Sequence, residues 1–388
     1  MSFPLRTGLA WISRILALKH RAFPALLWLA GAAHAADPTV RSVAPQKTVV
    51  LVSSAAQPEA FRYTAFPAVL RTGPDEVWVS YKAGRSHATD PGAALEVVQH
   101  RLSSGETKLL QRLVAPEPKL YQMGEFARLA DGSITLNVDV QSIGWDGRHY
   151  RSGAEVFRWS AARRAFDPPA RMAPVSGVLY GYPFGFITEG ETTWQLIMAF
   201  GYHQPGGRWS VDALRSTDAG RSWQFVRNLT EEFGGIRGNE SGFVRHGDGF
   251  IVTTRGYDKI ERLHRVNRDF RVQHQVDLTG KHPFLNSYIG RPRLFIRDGQ
   301  GYLIGRNWTK ATGPMQLCLF RFDPETLALV SCVILDNAEQ KQVTDGYYAV
   351  PVFSGEGDAA RLHVITYRAL NKQFPDILRF DYRWADVK

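Results

Sequence analysis

Residues 238 to 256 read GNESGFVRHGDGFIVTTRG, and Glu240 and Arg255 stand almost equally far from the turn residues Asp248 and Gly249. If both flanks are strands, the chain turns at GDG and returns to the same edge, which brings an acid and a base to one open end. Such a pair either forms a structural ion pair or faces a ligand. Other side chains of chemical interest are Arg291 in YIGRPRLFIR, Tyr347 in TDGYYAV, His87 and Asp90 in AGRSHATDPG, and Tyr182 in LYGYPFGF. The eleven histidines show no metal-ligand spacing and neither cysteine belongs to a C-x-x-C pair, so no metal or organic cofactor is expected.

The elements that must position these residues follow from a repeat. Tight Gly/Asp turns recur near residues 75, 131, 190, 248, 299 and 357, with gaps of 56, 59, 58, 51 and 58 residues. Before each turn comes a strand-like run such as GEFARLA, PFGFIT or ESGFVRH, after it a second such as SITLNVDV, WQLIMAF or FIVTTRG, and a third follows in every copy. Six strand meanders at this period predict an all-β fold, a six-bladed β-propeller of four-stranded antiparallel blades. The last copy lacks its outer strand, and KTVVLVS at 47 to 53 is placed to supply it and close the ring.

In a propeller the first strand of each blade surrounds the axis, so equivalent positions at their open ends converge. Counting back from each turn gives Ala65, Gln122 or Met123, Tyr182, Glu240, Arg291 and Tyr347, with Lys82, Arg255 and Arg306 at the ends of the second strands. Parity leaves Tyr348 and Arg293 as alternatives to Tyr347 and Arg291. The choice of Tyr347 rests on its following Gly346, and that of Arg291 on its register with Glu240. Tyr202 and His203 stand beyond the next strand as further wall residues.

The segment STDAGRSW, residues 216 to 223, matches the Asp-box pattern S-x-D-x-G-x-x-W. There Asp218 bonds the turn backbone and Trp223 packs beneath it, a structural role. By blade number, this turn and the order of NESGFVRHGDGFIVTTR, YIGRPRLFIRDGQGYLIGR and TDGYYAVPVF, the chain resembles the exo-sialidase superfamily along essentially its whole length after the N-terminal leader.

That resemblance implies a chemistry. Sialic acid carries a carboxylate on its anomeric carbon, which would repel a carboxylate nucleophile, and sialidases use tyrosine instead. On this reading Tyr347 attacks, Glu240 takes its proton, Asp90 protonates the leaving oxygen, and Arg255 and Arg291 clamp the substrate carboxylate, with Tyr182 on the pocket wall. His87 is an alternative contact, or an acid or base in place of Asp90. Where the family opens its first blade with an arginine, this chain reads Ala65-Phe66-Pro67. Another acidic sugar, a carbohydrate-binding propeller without turnover, and a polysaccharide lyase using His and Tyr therefore stay open.

The N-terminus has four Lys/Arg and no acid up to Arg21, an apolar run from Ala22, and Ala33-His34-Ala35, the order of a secretory signal peptide cut after Ala35. Residues 36 to 388 then form a single domain, expected to be exported to the periplasm or secreted, monomeric and without stable membrane insertion. Loss of those four basic residues lowers the formal net charge from +10 to +6. With no run of five like charges, this suits an anionic glycan and argues against a nucleic-acid partner. Cys318 and Cys332 flank a turn at DPET and are expected to form a cross-strand disulfide.

Overall fold

The computed structural model describes residues 39–88, 90–144, 149–200, 209–285, 289–308, 313–339 and 342–388. The expected leader, and Tyr202 and His203, lie outside the described residues. Among those described, no helix is long and apolar enough to cross a membrane.

Six antiparallel sheets form a ring, as the repeat predicts. The innermost strands are Tyr63–Arg71, Lys119–Arg128, Tyr180–Glu189, Gly238–His246 and Ile289–Arg297, and in blade 6 the pair Val343–Gly346 and Val350–Ser354. Second strands are buried on both faces, as in Gly249–Gly256, because each blade is covered by its neighbours. Outer strands are half solvated, and VQHQVD alternates accordingly. Phe184, Phe243, Phe250 and Phe270 belong to the largest apolar cluster, which fills the space between blades.

Ring closure follows the predicted route. Lys47–Val52 pairs antiparallel with Asp376–Arg383 as the outer strand of blade 6, Lys47 opposite Asp381. A second N-terminal strand, Thr39–Ser42, adds in parallel to the outer edge of blade 5. Residues 39–52 thus tie the two final blades together.

The turn at 216 to 223 is held as its sequence predicts. Asp218 accepts from Ser222 N at 2.9 Å and Ser222 Oγ at 2.6 Å, while Ser216 Oγ accepts from Gly220 N at 2.9 Å. These bonds, first of all that from Ser222 Oγ, hold the Asp218 carboxyl down at about 2. Equivalent turns in blades 4 and 5 are held by Asn267 and Asp323, which accept from backbone N–H groups two to four residues on.

The expected disulfide is not formed. Cys318 and Cys332 are buried free thiols. Breaks in register at Leu317/Cys318 and Arg321/Phe322 place Cys318 opposite Ile334 and Cys332 opposite Phe320, so the cysteines sit diagonally rather than face to face. The contact with Cys318 and burial both push the Cys332 thiol up. Protein denatured without reductant is accordingly expected to release two equivalents of chromophore from Ellman reagent. Release of none would restore the disulfide.

Candidate functional site

The innermost strands share a defect at one level. Their ladders break at Ala65/Ala68, Tyr121/Met123, Gly181/Pro183, Gly238/Ser241 and Gly290/Arg293, and in blade 6 the stretch Tyr347 to Ala349 interrupts pairing between Gly346 and Val350. A bulge inserts an unpaired residue and re-aims its side chain. Four bulged residues, Phe66, Tyr182, Arg291 and Tyr347, have φ between 47° and 70°, a strained backbone for non-glycine residues. Pro67, Pro183 and Pro292 follow three of them, where the ladder needs no N–H.

Glu240 is the centre of what this level gathers. Only 3% exposed, it accepts through Oε1 from Tyr182 Oη at 2.6 Å and from Tyr348 Oη. Through Oε2 it accepts from Arg255 Nη1 at 2.9 Å and from the backbone N of Arg291 at 3.0 Å. Burial opposes its ionisation, but Arg255, Arg306 and the two phenols outweigh that and hold its carboxyl at about 2. The acid and base of the opening hairpin therefore meet, within a wider cluster.

Arg306 lies over the Tyr348 ring with 4.5 Å between guanidinium carbon and ring centroid, and its Nη2 donates to Tyr348 Oη at 3.0 Å. Gly290 makes room for this stack. A Cβ there would stand 2.7 Å from Arg306 Nε and 2.9 Å from Tyr348 Cε1.

Tyr347 does not reach this centre. Its backbone is left-handed, its ring packs in the cluster between blades 5 and 6, and its hydroxyl bonds Asp336. Tyr348, the parity alternative, carries the phenol that touches Glu240. The choice of Tyr347 rested on its following Gly346, and the interruption between Gly346 and Val350 turns its neighbour to the axis instead.

Asp90 is buried and bonded within its own loop. It is 3% exposed and accepts from the backbone N of Arg85 at 2.6 Å and of Ser86 at 3.2 Å, closing its own loop. Lys82 Nζ lies 3.8 Å from it and bonds Gln122 Oε1 at 3.0 Å. Burial pushes the Lys82 ammonium down to about 8.

His87, in the same loop, is the group left open to solvent, its side chain 53% exposed. Its Nδ1 bonds Tyr63 Oη at 2.8 Å and Asp345 Oδ2 at 3.0 Å. Tyr367 Oη also donates to Asp345 at 3.0 Å, and Arg306 Nη1 lies 3.5 Å from it. Burial works against the Asp345 charge, yet His87, Arg306 and Tyr63 hold its carboxyl below the usual range. Phe66 sits between this cluster and Glu240, with ring centroids 4.9 Å from His87 and 5.4 Å from Tyr348. Phe66, not Ala65, is therefore the side chain that blade 1 sends to the axis.

Arg291 reaches Glu240 through its backbone, whereas its guanidinium turns to Glu125 Oε2 at 2.6 Å and Pro183 O at 2.9 Å. Arg293 Nη2 shares that Glu125 oxygen. Tyr182 is a buried donor to Glu240 rather than wall, with the guanidinium carbons of Arg151 and Arg291 5.2 and 5.3 Å from its ring centroid. Sequence reasoning missed Tyr63, Asp345, Tyr367 and Glu125. Asp345 stands two residues before Tyr347 in TDGYY, but only the fold shows which arginine and tyrosines it meets.

No protein-family model and no curated protein sequence matches the chain. Among solved structures, the fold resembles a protein of unknown function from Dyadobacter fermentans (TM-score 0.64, 14% identity, 87% of this chain and 98% of that one). It also resembles a sialidase of Streptococcus pneumoniae (0.63, 10%, 88% and 71%) and a Penicillium chrysogenum α-L-arabinanase complexed with arabinobiose (0.58, 10%, 89% and 99%). The chain is a six-bladed β-propeller. Identities this low speak to the fold alone.

The shift of Glu240 gives a sign. Its carboxyl is depressed from 4.5 to about 2 on folding, so the stability it contributes is full above its unfolded value and is lost as pH falls through the folded one. Urea unfolding of wild type and Glu240→Gln from neutral pH downward is expected to show a stability gap that closes across this window. A gap independent of pH would contradict the assignment.

Proposed function

We propose that this protein is an exported, sialidase-like glycoside hydrolase that removes a terminal acidic sugar, sialic acid or a related ulosonic or uronic acid, from an anionic glycan. The observation that carries the reading is the Tyr348 phenol bonded to the Glu240 carboxylate and stacked under Arg306. A phenol attacks a carboxylate-bearing anomeric centre without the repulsion a carboxylate would meet. Tyr348 Oη forms the bond to that carbon while its proton passes to Glu240. The leaving oxygen takes a proton from His87, fixed by Tyr63 and Asp345, and water then releases the sugar.

Arg255 and Arg306 are the cations within reach of the pair. A substrate carboxylate that draws them toward itself weakens their field on Glu240 and raises its basicity as the phenol gives up its proton. Carbohydrate binding without turnover is the second reading, favoured by Phe66 packed on Tyr348 and by the burial of Glu240 and Tyr348 to 3% and 5% exposure.

Purified protein is to be assayed against chromogenic glycosides of sialic, ulosonic and uronic acids. Tyr348→Phe is expected to lower release by at least roughly 100-fold, and Tyr347→Phe to leave it within the same order of magnitude. An unchanged rate in Tyr348→Phe contradicts the mechanism. Binding without release establishes the second reading, and an unsaturated product absorbing in the ultraviolet would mark a lyase.

A further inference from the structure

A second constellation lies at the other end of blade 6, next to the turns of blade 1. Ser354 ends the inner strand, His363 lies on Arg361–Leu370, and Asp381 on Asp376–Arg383, directly opposite His363. Ser354 Oγ is 2.7 Å from His363 Nε2, and His363 Nδ1 is 2.6 Å from Asp381 Oδ1. A carboxylate only accepts, so the imidazole proton sits on Nδ1 and Nε2 is the acceptor that faces the serine hydroxyl. This is the order and tautomer that activate a serine nucleophile.

Its surroundings form a site. The three residues line a cleft of about 410 Å³, within the range of small-ligand pockets, together with Lys47, Arg361, Arg379 and Asp75. Arg379 grips Asp381 through Nε and Nη2, both at 2.8 Å, and is itself bonded to His100 Nε2 at 2.6 Å. Burial works against the Asp381 charge, but His363 and Arg379 hold its carboxyl below the usual range, so it stays ionised behind the imidazole. Lys47 and Arg361 are exposed at the cleft. They give the cleft the positive charge that suits an anionic substrate, Arg361 Nη1 also donating to Gln46 Oε1 at 2.7 Å.

We propose that Ser354, His363 and Asp381 form a second hydrolytic site that cleaves carboxylic esters of an anionic alcohol, separate from the axial cluster. Ser354 Oγ bonds to the carbonyl carbon while its proton passes to His363 Nε2. Collapse breaks the ester C–O bond, and that proton leaves with the alcohol. Water, deprotonated by the same nitrogen, then cleaves the acyl-serine to the carboxylic acid and restores the hydroxyl. The activity does not rest on the glycosidase reading.

The test treats the full folded chain with a fluorophosphonate probe, maps the labelled peptide by mass spectrometry, and measures p-nitrophenyl acetate hydrolysis. Label on Ser354, with hydrolysis lowered roughly 100-fold or more in Ser354→Ala and a melting temperature close to wild type, is expected. His363→Gln should lose labelling while Ser354 is still present. Absence of label, or equal hydrolysis in wild type and Ser354→Ala, overturns the proposal and leaves the chain as a strut between the last blade and the first. Label on a different serine overturns it equally.

Discussion

One buried carboxylate organises the axis of this propeller. Removing an ionised glutamate from water costs several kcal/mol and is tolerated only when its oxygens are fully bonded and opposite charge is close. Glu240 meets both conditions through donors from blades 3, 4, 5 and 6: two phenols, a guanidinium and a backbone N–H. The same contacts that make its burial possible bring a phenol and two arginines together. Packing and chemistry thus share one set of bonds.

The bulges explain how strands of regular alternation deliver such different side chains to a single level. An unbroken strand would send every second residue inward at fixed spacing. Interrupting each inner strand at the same height sends Phe66, Tyr182 and Tyr348 to the axis and turns the Arg291 backbone N–H toward Glu240. Four of these bulges hold a non-glycine residue in the left-handed region, a strain that the packed level around Glu240 sustains. Charge is balanced in layers: Glu240 with Arg255, Glu125 with Arg291 and Arg293, Asp345 with Arg306.

Much of the fold was legible because its cause is local and repeated. Turn residues at a near-constant period define the blades, and the strand Lys47–Val52 supplies the outer edge that the last copy lacks. Site errors arose where a bulge breaks the period. Its place after Gly346 favoured Tyr347 over Tyr348, and an ideal hairpin placed Cys318 opposite Cys332, each displaced by irregular register. Asp90 misled for another reason: a carboxylate that caps its own loop has the same sequence as one that faces a substrate. Partners such as Asp345 and Glu125 depend on contacts between blades and leave no local signal.

The central interaction is the coupling of Glu240 to Tyr348 across the axis, and a double-mutant cycle measures it most directly. Unfolding free energies of wild type, Glu240→Gln, Tyr348→Phe and the double variant would give the interaction term. A buried, charge-assisted bond of this kind is expected to contribute about 1–3 kcal/mol of coupling. Strict additivity of the two substitutions would mean that the two groups do not meet, and the axial site as described here would be wrong.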